Sequence, residues 1–141
     1  MDRVFLLHLA ATCFMAGVIW FVQVVHYPLF VAFEPTTFGE SMRRHQSLTS
    51  WIVMPAMLLE LGTGLQMFFL AFVPGWIAAI DVVLLALTWA VTFLVSVPLH
   101  ASLAHGFDAA RARKLVSSNW ARTALWSSRA ALLVLVAGEV V

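Results

Sequence analysis

Arg122 and Arg129 stand in "SSNWARTALWSSRAALLVLVAGEVV", a stretch otherwise apolar enough to lie in a membrane. With Asn119 and Trp126 they repeat at i, i+3, i+7 and i+10. On a helix turning about 100° per residue, that spacing makes one stripe. A guanidinium at the bilayer centre costs ~2.5–3.5 kcal/mol even on insertion scales, so the stripe should face protein. Such a group can also do chemistry, because its charge persists and its donors form a fixed fork that suits an oxyanion.

Three histidines extend the set. His26, His45 and His100 fall near the ends of three other apolar segments, at the depth expected for Asn119 and Arg122. In a helical bundle they would converge on one pocket. His26 and His100 could act as general bases or ligands there, Asn119 and Arg122 could hold a developing oxyanion, and His45 could bind a cofactor. Solvation explains His45 equally well, since it follows Arg43 and Arg44, and His105 in a connection reads as a surface residue. Glu60 is the one acidic residue at the centre of another segment, and it is the expected partner of Arg129 in a structural ion pair. That pair could do no more than fix helix register.

His8 lies toward the opposite end of the first segment, about 27 Å from His26 along a helix, so the two cannot share a ligand atom. It could be an axial haem ligand or an interfacial histidine, and Asp81 is placed to neutralise it. No His-x-x-His or Glu-x-x-His spacing defines a metal site. The cofactor and the metal therefore stay unknown: haem, a histidine-bound metal and no cofactor all fit. The chain has no phosphate loop, nucleophile elbow or dinucleotide fingerprint.

The elements that must position these residues follow from composition. The 141 residues are 62% hydrophobic and only 11% charged, against ~25% charged in a soluble domain. One integral-membrane domain is expected over 1–141. The net charge of +1 argues against nucleic acid as a partner. Cys13 alone allows no internal disulfide. A lipoprotein signal ending at Cys13 is disfavoured, because the apolar run continues to about Phe33.

Four stretches have the ~20 apolar residues a span needs: about 4–28, with room for the helix to continue to Phe33, then 48–72, 76–103 and 119–141. The expected fold is all-α, a bundle of four transmembrane helices. Short amphipathic segments are expected in the first and third connections, capped by Thr36 or Thr37 and by Asp108. Those connections carry Arg43, Arg44, Arg111, Arg113 and Lys114, whereas the other side carries only Arg3. The positive-inside rule puts them in the cytoplasm and both termini outside, as in a bacterial inner membrane. Trp51 and Trp120 suit the cytoplasmic interface and Trp76 the outer one. Gly62 and Gly64 should allow close helix approach, and no internal repeat is evident.

"SVPLHASLAHGFD" followed by "NWARTALWSSR" resembles a four-helix membrane family that includes the anthrone oxygenases of polyketide pathways. Val97, Pro98 and Leu99, then Asn119, Arg122 and Thr123, stand at its motif positions, and His100 replaces the usual Asn. "LLHLAATCFMAG" and "MRRHQSLTSWIVMPAM" resemble the bacterial four-helix protoporphyrinogen oxidase, a haem-associated enzyme, although the arginine that family has near "HYPLF" is missing. Both resemblances imply a small redox protein acting on a lipophilic aromatic molecule, quinone-like or porphyrin-like. The leading expectation is an oxidoreductase- or oxygenase-like membrane enzyme whose substrate enters from the lipid bilayer. The alternatives are a non-catalytic subunit of a larger membrane complex or homo-oligomer, a haem-binding redox protein and a small transporter.

Overall fold

The computed structural model of the protein describes residues 3–32, 36–70 and 73–140. Helix α1 covers Arg3–Phe21 and continues through a π-helical turn, Val22–His26, into a 3-10 turn, Pro28–Ala32. Helix α2 covers Phe38–Leu70 and α3 Gly75–Val91. A second π-helical turn, Thr92–Ser96, leads into α4, Val97–Leu103, and α5 covers Ala109–Val140. The described elements are all helical. Three stretches, Arg3–Phe30, Phe38–Leu70 and Gly75–Leu103, are long and apolar enough to cross a membrane. The expected fourth span lies within α5, which is not among those three. The expected span limits Phe33, Phe72 and Val141 lie outside the described residues.

The basic connections hold no separate amphipathic helices, contrary to expectation. Helix α2 runs unbroken for 33 residues, about 50 Å at 1.5 Å per residue and well beyond a ~30 Å hydrocarbon layer. Its first turns, with Arg43, Arg44 and His45, extend the span rather than cross it. Helix α5 likewise begins in the third connection. The Arg111 N–H donates to Asp108 Oδ1 at 2.9 Å, which caps α5 and holds that carboxyl below the usual carboxylate range.

Helices α1 and α3 each pack on both α2 and α5, and have no backbone contact with each other. They therefore occupy one diagonal of a four-membered ring, and α2 and α5 the other. Both members of the first diagonal carry a π turn that ends two residues before a proline, Pro28 or Pro98. Proline lacks an N–H, and its ring crowds the carbonyl four residues back; the wider turn accommodates both. The bonds from Tyr27 N–H to the Val22 carbonyl and from Val97 N–H to the Thr92 carbonyl close these turns.

Buried apolar side chains form three clusters. One gathers Tyr27, Phe30, Phe38, Met42 and Leu103 at the end with the basic connections. Met15, Ile19, Met57 and Trp126 form the middle, and Phe5, Met67, Ile77 and Leu133 the opposite end. Polar groups occupy the intervals. Gly64 makes one interval possible: a Cβ there would lie 3.0 Å from both His8 Cε1 and Leu85 Cδ2. Gly62 does not share the expected role, for a Cβ there meets nothing within 4 Å. Because hydrogen bonds pin His8, Gly64→Ala should destabilise the protein by about 1–3 kcal/mol, and Gly62→Ala should leave it within about 0.5 kcal/mol of the parent. Thermal unfolding of the two variants in detergent checks this, and equal midpoints would contradict it.

Candidate functional site

The first polar cluster is built around Arg129, which is fully buried. Its Nη1–H donates to Glu60 Oε1 at 2.7 Å and its Nε–H to Asp81 Oδ1 at 3.0 Å. Trp126 Nε1–H donates to both Glu60 oxygens, at 3.2 and 3.1 Å. His8 lies across the same space, with Nε2 at 2.9 Å from Asp81 Oδ2 and Nδ1 at 2.8 Å from Thr63 Oγ1. The Arg129–Glu60 bond spans one diagonal of the ring and His8–Asp81 the other. Arg129–Asp81 joins the two pairs.

Donor and acceptor counting places one proton of this cluster. Thr63 has one hydroxyl proton, and it points to the Leu59 carbonyl at 2.6 Å. Thr63 can therefore only accept from His8, so Nδ1 carries a proton. Nε2 faces both Asp81 Oδ2, at 2.9 Å, and an Nη2–H donor of Arg129, at 3.2 Å. Hydrogen bonds and the two carboxylates beside Arg129 offset much of the desolvation cost of burying it.

The second cluster lies between the middle apolar cluster and the basic end, around a cavity of about 200 Å³. Met15, Ile19, Val53 and Met57 form apolar wall, and Tyr27, His45, Ser96, His100 and Arg122 bring polar atoms to it. Tyr27 Oη and His100 Nε2 are 2.9 Å apart. His26 Nε2 and His45 Nδ1 are also 2.9 Å apart, with their rings stacked at 4.5 Å. The His45 and His100 ring centres are 5.4 Å apart.

Behind the cavity a chain of amides holds Arg122. Gln23 Nε2–H donates to the Val116 carbonyl, Asn119 Nδ2–H to Gln23 Oε1 at 2.9 Å, and Arg122 Nη1–H to Asn119 Oδ1 at 3.2 Å. The guanidinium lies 5.2 Å from the centre of the Trp126 ring, a cation–π distance. Its Nε–H is buried without a partner, and so is the Ser96 hydroxyl.

The structure thus gathers His26, His45, His100, Asn119 and Arg122 at one end, but their positions differ from those expected. His26 and Asn119 do not line the cavity. Asn119 has turned its carbonyl to Arg122 and one amide N–H to Gln23, away from the cavity wall, so it positions the arginine. His26 stands behind His45. His8 was expected as an axial haem ligand or interfacial residue; it is buried with both ring nitrogens engaged, which leaves neither for an iron. Glu60 and Arg129 do pair, with Asp81 as an additional partner of the arginine. Among the described residues no three His, Cys, Asp or Glu side chains gather to hold a metal ion. Sequence reasoning missed Tyr27 and Gln23, although the first is the chain's single tyrosine and the second a lone amide in an apolar span.

Removing one partner from a buried ion pair typically costs ~3–5 kcal/mol. Glu60→Ala should therefore sharply lower the yield and unfolding temperature of the protein. Exchanging the charges, Glu60→Arg with Arg129→Glu, should not restore them, because the new carboxylate at 129 would face Asp81. Recovery on exchange would mean that Glu60 and Arg129 act as an isolated pair. No family model, curated protein or solved structure matches this chain.

Proposed function

We propose that the protein is a four-span inner-membrane protein with both termini outside, and that it binds a small lipophilic aromatic molecule bearing an acidic oxygen. In this reading it takes the proton from that oxygen, the proton-transfer half of oxidoreductase- or oxygenase-like chemistry. Two contacts support the topology by placing the basic connections at the same end: Arg43 Nη1–H donates to the Ala104 carbonyl at 2.8 Å, and the Phe38 and Phe107 rings are 5.0 Å apart. The positive-inside rule assigns that end to the cytoplasm. Trp51 and Trp76 are 79% and 65% exposed, as interfacial tryptophans are. A reporter active only outside the cytoplasm should work when fused at the C-terminus and fail when inserted at Gly106. The reverse pattern would overturn the orientation.

One observation carries the chemistry. Arg122 lines the cavity with a buried, unpartnered Nε–H, and among the described residues no carboxylate pairs with it. An unsatisfied buried donor is costly, more so when charged. A ligand oxyanion against the cavity face of the guanidinium would supply the missing counter-charge, beside Ser96. The Tyr27 hydroxyl lies beside the guanidinium and is bonded to His100. A ligand proton can pass to the tyrosine oxygen as the tyrosine's own proton moves to His100 Nε2. The products are a ligand anion on Arg122 and an imidazolium at His100. The apolar wall receives the aromatic body and excludes water.

The probe is 2-naphthol, whose absorbance reports ionisation. Bound to the protein, it should ionise at a lower pH than in protein-free micelles, because Arg122 stabilises its anion. A hydrogen bond to a charged group contributes about 1.5–3 kcal/mol, so Arg122→Gln should weaken binding of the anion roughly tenfold to a hundredfold and abolish the shift. Equal binding by the two proteins would remove Arg122 from the site.

A further inference from the structure

The cavity has a side opening. The π turn Thr92–Ser96 has backbone neighbours on α5 but none on α2. Helices α3 and α4, before and after it, both touch α2. The third helical stretch therefore parts from α2 at the depth of the cavity and rejoins it on either side. Ser50 and Val53 border the parting on α2, and Phe93 and Val97 border it opposite. All four line the cavity. Phe93 and Val97 are also 42% and 46% exposed on the outside of the bundle. Residues that face both the cavity and the exterior mark a passage between them.

The walls of this passage are apolar. Its hydroxyl, on Ser50, already donates to the Gln46 carbonyl at 2.7 Å. At the inner end stand Arg122 and Ser96. The volume bears on the size of the head: at about 200 Å³ the cavity is smaller than the ~300–1,000 Å³ pockets that take drug-sized ligands. One ring or two fused rings fit within that, and four linked pyrroles do not.

Building on the aromatic-oxyanion reading, we infer that the ligand is a two-part membrane lipid. Its head is a phenol or quinone of one or two rings, seated against Arg122 and Ser96. Its hydrocarbon chain leaves between α2 and the Thr92–Ser96 turn into the bilayer. The porphyrin-like alternative loses ground on volume. The π turn acquires a role, since an α-helical turn there would keep α3 against α2 and close the passage.

The test compares 2-naphthol with 2-naphthol carrying a 15-carbon prenyl chain, at equal mole fraction in the same micelles. The tailed probe should bind the protein at least tenfold tighter than the plain one. In Val97→Trp, which fills the passage, that ratio should collapse toward one; Val53→Trp gives the same readout from the facing wall if Val97→Trp does not fold. A ratio near one in the parent protein, or one that the tryptophans leave unchanged, would overturn the passage while leaving the aromatic site in place. Failure of both probes to bind the parent protein would overturn the aromatic site itself, and the inference with it.

Discussion

A guanidinium cannot be left facing hydrocarbon, and the arrangement of this bundle follows from how Arg129 avoids that. Its donors reach one carboxylate on each of two other helices, and His8 on α1 bonds the second of them. Salt bridges of this kind add little net stability over a packed apolar core, but removing one partner leaves a buried charge uncompensated. Any rotation of α1, α2, α3 or α5 by one residue leaves a bare charge. Both diagonals of the ring are tied at one level, and Gly64 lets the helices come close enough for the ties to form.

With that half locked, the other half can be irregular. Both π turns, both proline breaks and the cavity lie on the side of the middle cluster toward the basic end. π turns are rare and concentrate at functional sites, because they redirect side chains and open the packing. Trp126 joins the two halves. Its Nε1–H bonds Glu60 in the locked cluster, and its ring lies under Arg122 in the cavity. A shift of the ring in one half is therefore felt in the other.

The π turns also show what was legible in the sequence. Depth could be counted from residue number, and depth alone placed Glu60 beside Arg129, Asp81 beside His8, and the three histidines at one end. At a constant 100° per residue, His26 would share the face of His8, eighteen residues or five full turns earlier. A π turn inserts about one residue into the count. Tyr27 consequently takes the inward position and is buried, while His26 moves aside to stack on His45. The same offset hid the tyrosine and assigned its neighbour to the pocket. The continuity of α2 and α5 into the basic connections was hidden for a different reason. Polar residues before a span look like a separate amphipathic helix, and no breaker stands between Glu40 and the apolar run to end one.

Arg122 and Arg129 lie two helical turns apart on one stripe, so they meet the same desolvation problem with different outcomes. Around Arg129 the chain provides two carboxylates, an imidazole and an indole. Around Arg122 it provides an amide, a ring face and a phenol, none of them a carboxylate. A carboxylate at Met57 or Ser96 would be a small change in sequence, and it would bring the missing charge to the cavity wall. Instead the wall there offers a thioether and an unpartnered hydroxyl. An arginine that served only to fix helix register would gain from such a partner. One that must receive an incoming anion would lose its function to it, since a fixed carboxylate would outcompete any ligand oxygen. The missing counter-charge therefore favours a binding site over a structural clasp, and it is found at the one of these two arginines that lines the cavity.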